Sequence, residues 1–291
     1  MSTQSQQTKK VWFVTGASKG LGLSLVKQLL DQGFNVAATS RNINDLRQAV
    51  GTESDSFLPL AVDLKTEASV EQAIKATVEH FGRIDVVVNN AGYGLLGSIE
   101  ELTDQEAREN FDVNVFGSLN VIRAVMPHLR EQQSGHIFNI SSIGGFTGNF
   151  PGFGIYCATK FAVEGFSESL AAEAKAFGIN VTIVSPGYFR TDFLTANSLG
   201  VPSRQIDAYE AVRASQQAHQ TQINGNQPGD PEKAVAALIK VANEPNPPLH
   251  LFLGQDAYDM AYAKINDVKT DLETWKGVTI STGFEVENAT V

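Results

Sequence analysis

The sequence predicts an α/β fold, a doubly wound and mostly parallel sheet with helices on both faces. Three observations carry that expectation. Short apolar runs alternate with longer segments of helical periodicity along most of the chain. The runs are too continuously apolar for strands wetted on one face, which suits a parallel sheet covered on both sides. Several helical segments end on glycine, the residue that best closes a helix in the left-handed conformation.

The expected strands are Val11–Thr15, Asn35–Thr39, Phe57–Ala61, Val86–Asn89, His136–Ile140, Asn180–Ser185 and Leu249–Leu253. Between them, Leu21, Leu25, Leu29 and Leu30 form one helical face that stops at Gly33. Val70, Ile74 and Val78 form another that stops near Gly82. Phe161, Phe166, Leu170 and Ala174 belong to a third that stops at Gly178. The repeated strand–helix order predicts one Rossmann-like domain over residues 9–291, preceded by a loose polar tail at 1–8. Residues 188–231 interrupt the rhythm and are rich in Gln and Ala. They are expected to run over the mouth of the active site, with a helix near Asp207–Thr221. Asp230 then caps a helix that begins at Pro231. The stretch after Lys276 carries no assignment.

Composition narrows the partners. The chain has 291 residues and is 42% hydrophobic, enough for a large core. Its formal net charge of -10 argues against nucleic acid, whose phosphates need concentrated positive charge. A single cysteine, Cys157, permits no internal disulfide and suits a reducing, cytoplasmic compartment. No run approaches the roughly 20 apolar residues of a membrane span, and the start lacks a secretory apolar core. No metal site is expected.

The string Thr15-Gly16-Ala17-Ser18-Lys19-Gly20-Leu21-Gly22 joins the first strand to the first helix. Small residues there let the backbone approach a pyrophosphate, and the helix start offers free amides and a favourable dipole. An acidic residue after the second strand would bind a ribose 2′-hydroxyl. This chain has Ser40-Arg41 instead. With Lys19, Arg41 favours a 2′-phosphate, and so NADPH over NADH. Asp63, followed by Leu64, is placed to reach the adenine. Asn89-Asn90-Ala91-Gly92 closes the fourth strand with residues that permit close approach.

Tyr156 and Lys160 lie one helical turn apart and so share a face. A nearby ammonium is expected to lower the phenol pKa and make it an acid–base catalyst. Ser141 and Ser142 end the fifth long strand, where a hydroxyl can hold a substrate oxygen. Asn114 sits in a helical segment with Phe111 and Val115. It is either a satisfied core group or the holder of a relay water towards Lys160.

Taken together, these motifs resemble those of the short-chain dehydrogenase/reductase family, of the NADP(H)-preferring type, over about residues 9–256. The resemblance implies that Tyr156 is the acid–base, Lys160 its activator, Ser142 rather than Ser141 the substrate-orienting serine, and Asn114 the relay residue. Pro186-Gly187 and Thr191 match the family's nicotinamide-holding segment. The interval from Ser142 to Tyr156 is one residue longer than usual for the family, an insertion within Gly144–Gly154 expected to bulge outward. Homo-oligomers are common in the family, and Ala107–Met126 and Phe161–Ala176 are the candidate interfaces.

The implied reaction interconverts a carbonyl compound and its alcohol. Tyr93, Leu95, Leu96, Phe146, Phe150, Phe153, Tyr188 and Phe193 are expected near the strand ends, which suggests an apolar, aromatic or alicyclic small-molecule substrate. Two rival readings stand beside it: an epimerase or dehydratase using the same bound cofactor, and a non-catalytic NADPH-binding regulator.

Overall fold

The computed structural model describes residues 9–51, 53–196 and 198–284. The expected tail at residues 1–8 lies outside them. The strands run in chain order as β1 (Val11–Val14), β2 (Asn35–Ser40), β3 (Phe57–Ala61), β4 (Val86–Asn89), β5 (Gly94–Leu95), β6 (Gly135–Ile140), β7 (Ile179–Pro186), β8 (Leu199–Gly200) and β9 (His250–Leu253). Seven of these form one sheet in the order β3-β2-β1-β4-β6-β7-β9, and every pairing in it is parallel. Each strand expected from the sequence is present, displaced by at most one residue at either end. The two-residue pair β5–β8 was not expected.

The helices are α1 (Gly20–Asp31), α2 (Ile43–Val50), α3 (Glu67–Phe81), α4 (Asp104–Phe111), α5 (Gly117–Gln132), α6 (Gly154–Ala174), α7 (Glu210–Gln217), α8 (Pro231–Val241), α9 (Gln255–Thr274) and α10 (Lys276–Ile280). Strand alternation divides the core into two layers. Trp12, Val14, Val86 and Val88 pack with Leu25 and Leu29 of α1, Leu46 of α2, and Val235 and Leu238 of α8. Phe13 and Val87 point the other way, against Ile74 of α3, Val121 and Val125 of α5, and Leu170 of α6. Each such side chain removed from water contributes about 1.5–3 kcal/mol.

Local signals end the helices where expected. Gly82 closes α3 at φ 82°, and the Asp230 side chain accepts from the Glu232 amide at the start of α8. Thr103 and Glu106 form a reciprocal capping box on α4. The stretch left unassigned after Lys276 holds α10, and the long α9 before it fully buries only Ala257 and Ala261. No helix among the described residues is long and apolar enough to cross a membrane.

Chain order reverses direction between β1 and β4, and the crevice at their carboxyl ends is where open α/β sheets bind ligands. The 188–231 excursion covers this end. Its two limbs are pinned by the Gly229 amide donating to the Tyr188 carbonyl and the Arg190 amide donating to the Gly229 carbonyl, each at 2.9 Å. The helix expected near Asp207–Thr221 is α7 followed by a π-helical turn at Ala218–Ile223.

Candidate active site

A cavity of about 1060 Å³ opens at the carboxyl ends of the strands. One end is the turn from β1 to α1. Gly16 has φ 66°, and a Cβ there would lie 2.7 Å from the Ala91 Cα. A Cβ on Gly22 would lie 2.5 Å from both the Asn90 Nδ2 and the Gly16 carbonyl oxygen. Only glycine therefore lets the two loops close on each other. Asn90 ties them, donating to the Thr15 and Gly16 carbonyls at 2.9 and 3.0 Å, while the Thr15 hydroxyl accepts from the Asn90 and Ala91 amides. α1 begins with no side-chain cap and no acidic residue in its first turn, so its amides face the cavity.

Gly16, Ser18, Lys19, Gly20, Leu21, Arg41, Asp63, Leu64, Asn90, Ala91 and Gly92 all line this end. Burial pushes the Lys19 ammonium below its ordinary value, and the neighbouring Arg41 guanidinium pushes it the same way, against the carboxylate of Asp192. Two cations held together beside an open helix start form a cradle for a multiply charged anion. A nicotinamide dinucleotide fits this end on those grounds: an approach only glycine permits, exposed helix-start amides and paired cations. Gly22 does not line the cavity; it acts through loop packing. Thr191 faces the glycine turn, its Cβ 3.7 Å from where a Gly20 Cβ would stand. Pro186 ends β7 and Gly187 follows it, both beside the cavity. The Tyr188 amide donates to Asp256 Oδ2 at 2.7 Å, and a side chain on Gly187 would collide with that carboxylate. Asp256 lies beyond the motifs of the sequence and gave no signal there.

The middle of the cavity holds Ser142, Tyr156 and Lys160. Both α6 residues are buried, Tyr156 at 8% exposure and Lys160 at 5%. Lys160 Nζ donates to the Ile140 carbonyl at 2.8 Å and lies 5.8 Å from the centre of the Tyr156 ring. Ser142, not Ser141, faces the phenol: hydrogen bonding by Ser142 favours its ionised form, whereas the Ser141 hydroxyl donates to the Lys160 carbonyl at 3.3 Å. A short 3-10 turn at Ile143–Gly145 follows Ser142, with the Gly144 amide donating to Ser142 Oγ at 3.0 Å.

The expected lowering of the phenol by Lys160 is not what the site does. Burial pushes the Tyr156 pKa well up and outweighs the hydrogen bond from Ser142. Burial likewise brings the Lys160 ammonium down to about 8, against the attraction of Glu164. Glu164 is itself buried one turn further along α6, with Oε1 accepting from the Ser185 hydroxyl at 2.8 Å.

Asn114 lies in a π-helical turn, Asp112–Phe116, between α4 and α5. Such turns often mark functional sites. Its Nδ2 donates to the Tyr93 carbonyl and to Thr159 Oγ1, and its Oδ1 accepts from the Tyr93 amide at 3.0 Å. Asn114 is satisfied in the core, and its Oδ1 and the Lys160 ammonium both lie beside Gly92. A Cβ on Gly92 would lie 3.1 Å from that oxygen and 3.5 Å from Lys160 Nζ.

The far end of the cavity is mostly apolar. Tyr93, Phe150, Phe153, Tyr188 and Phe193 line it as expected. Leu95, Leu96 and Phe146 do not, Leu96 being fully buried. Leu95 is buried in β5, and Phe146 packs edge-on against Phe252 at 5.1 Å, in a cluster with Ala257 of α9. The rise of α9 beside β9 supplies this apolar surface and draws Phe146 out of the substrate wall. Sequence reasoning missed His219 and Gln227 on the excursion, both of which border the cavity.

The fold and this crevice define a dinucleotide-binding oxidoreductase. The family model for short chain dehydrogenases matches residues 10–200. An oxidoreductase of Botryotinia fuckeliana, BOA17, is 37% identical over 273 residues, spanning 94% of this chain and 98% of the relative. A 3-ketodihydrosphingosine reductase of Bacteroides thetaiotaomicron is 37% identical over 251 residues, 84% of this chain and 88% of the relative. A solved short-chain dehydrogenase from Streptomyces avermitilis superposes with a TM-score of 0.86 at 36% identity, covering 94% of this chain and 100% of that one. The chain belongs to the short-chain dehydrogenase family.

Proposed function

We propose that the protein is an NADPH-dependent reductase of ketones or aldehydes, with Tyr156 donating the proton to the carbonyl oxygen. The observation that carries this reading is the state of Tyr156. It is a buried phenol pushed up by its surroundings, facing the Ser142 hydroxyl at the junction of the glycine cradle and the apolar chamber. A phenol kept protonated at neutral pH is poised to give a proton, which is what carbonyl reduction needs.

The nicotinamide, when bound, supplies the hydride. The chain's residues do the rest. Ser142 holds the substrate oxygen beside Tyr156 and stabilises charge as it develops there. Lys160 and Asn114 stand on the side of Tyr156 through which a proton returns from solvent. Pro186, Gly187 and Thr191 hold the nicotinamide end, and Arg41 with Lys19 receives the 2′-phosphate. The lining of Phe150, Phe153 and Phe193 favours an apolar, aromatic or alicyclic body on the substrate. A relative named for reducing a keto group, 3-ketodihydrosphingosine, supports the reaction type.

A homo-oligomer in the cytoplasm belongs to the same reading. Phe116 and Phe161 stand 51% and 44% exposed on the two segments expected at the interface, and Cys157 is a buried free thiol that suits a reducing compartment. The test is Tyr156→Phe. Turnover of a bulky aromatic ketone with NADPH falls by about a hundredfold or more, while NADPH binding, followed by nicotinamide fluorescence, is unchanged. Turnover close to wild type in this variant sinks the assignment of the acid.

A further inference from the structure

Gln227 is 1% exposed, and neither its Oε1 nor its Nε2 has a hydrogen-bond partner among the described residues. It borders the cavity. Its backbone is fixed independently, with the Gln227 carbonyl accepting from Arg190 Nη2 at 3.1 Å. His219, which also borders the cavity, is oriented by contacts at both ring nitrogens. Its Nδ1 lies 2.8 Å from the Ser215 carbonyl, which can only accept, so Nδ1 carries the hydrogen. In the neutral imidazole, Nε2 then accepts from the Tyr188 hydroxyl at 2.9 Å. That bond uses the Tyr188 proton and leaves lone pairs on the same oxygen, in a residue that also borders the cavity. Phe153 lies between His219 and the reacting centre, its ring 6.0 Å from Tyr156 on one side and 4.8 Å from His219 on the other.

A buried side-chain amide with donor and acceptor both unmet is costly unless a ligand meets them. Resting on the carbonyl-reductase reading, we propose that Gln227, with the Tyr188 oxygen held by His219, binds a second polar group of the substrate. That group lies across an apolar body from the reacting carbonyl. It is neutral and both donates and accepts, as a hydroxyl or a carboxamide does. Neither the Gln227 amide nor the Tyr188 hydroxyl bears a charge that would select a carboxylate or an ammonium.

The nicotinamide carboxamide offers the same chemistry, and the test separates the two sources. Full-length protein is assayed with NADPH on benzylacetone and on its ortho-, meta- and para-hydroxyl and para-carboxamide analogues. Ketone binding to the protein–NADP+ complex is measured in parallel by calorimetry, as is NADPH binding by fluorescence. In the wild type at least one polar analogue exceeds benzylacetone by about ten- to a hundredfold in kcat/KM. In Gln227→Leu that advantage shrinks to under about threefold, mainly through KM, and Tyr188→Phe weakens it in the same direction. The cofactor-free Gln227→Leu protein melts no lower than wild type, because it loses an unpaired amide rather than a bond. If Gln227→Leu does not fold, Gln227→Met carries the same comparison.

Equal affinity for all the ketones, or a preference that survives Gln227→Leu, overturns the assignment. A loss confined to NADPH affinity overturns it too, and places the amide on the nicotinamide carboxamide. If no ketone turns over, the reductase reading fails, and the calorimetric preference alone then decides the role of Gln227.

Discussion

Replacing Lys160 by Met should make the cofactor-free protein more stable while abolishing turnover. The ammonium is buried, and its pKa falls from 10.5 to about 8, first through loss of water and against the pull of Glu164. At about 1.4 kcal/mol per pH unit, keeping that charge in the folded site at neutral pH costs roughly 3 kcal/mol relative to the unfolded chain. Met keeps the length and apolar stem but forfeits the bond from Nζ to the Ile140 carbonyl, about 1 kcal/mol. The net gain is about 2 kcal/mol, or a Tm higher by about 4 °C. The sign with pH follows from the direction of the shift. Below about pH 8 folded and unfolded chains both hold the proton, and the gap between variant and wild type is constant. From about 8 to 10.5 the unfolded chain holds a proton the folded one has released, so wild-type stability rises with pH and the gap closes. Urea unfolding followed by circular dichroism at about pH 7 and about pH 10 measures both gaps, and other ionisations cancel in the difference. A variant less stable than wild type at neutral pH, or a gap unchanged in alkali, refutes the argument.

Arg41→Ala should weaken NADPH by about ten- to a hundredfold, the worth of a charge-assisted contact, and NADH by less than about threefold. Fluorescence titration of both cofactors checks this, and equal losses would remove Arg41 from phosphate recognition. Glu101→Gln should loosen the excursion. The Glu101 carboxylate accepts from the Ser98 and Ile206 amides at 2.8 and 2.7 Å and from Arg213 Nη2 at 2.7 Å. Burial pushes this carboxyl up, but those hydrogen bonds and the Arg213 charge hold it below its ordinary value. The variant leaves the partly buried Arg213 without its counter-charge, at a cost of about 1.5–3 kcal/mol. Limited proteolysis between residues 203 and 215 should accelerate severalfold with the rest of the chain intact, and protection equal to wild type would contradict the latch. In the wild type this contribution is complete above the ordinary carboxylate range and is lost only as pH falls through the lowered folded value.

How much the sequence disclosed follows from how each feature is encoded. The sheet strands were legible because Val11–Val14 and Val86–Asn89 are buried on both faces and cannot tolerate polar interruption. The glycine turn and the Ser142, Tyr156 and Lys160 set were legible because their residue types, in that order along the chain, resemble the family pattern, and the fold brings them to one cavity. α9 was not: only Ala257 and Ala261 bury, so it carries no wide apolar stripe. The π-turn at Asn114 shifts the helical register by a residue that no periodicity displays. Gln227 sits in a polar, Gln-rich stretch where a ligand-facing amide and a solvated one read alike. The pKa of Tyr156 was misjudged in sign because spacing reveals the nearby ammonium but not the desolvation of both groups.

That desolvation shapes the order of events. In the free protein burial holds the phenol neutral, and the one charge beside it, the Lys160 ammonium, is buried and donates to the Ile140 carbonyl. The more exposed positive charge stands at the cradle, where Lys19 and Arg41 repel each other at the start of α1, against the attraction of Asp192 for Lys19. An anion arriving there relieves that repulsion at once, whereas nothing at Tyr156 attracts a neutral ketone over water except apolar burial. On the proposed reading the charged end would capture the cofactor first, and the substrate end would select by shape and by its few buried polar groups. Those groups are costly while unmet, so each one retained in an otherwise apolar chamber favours a ligand that meets it.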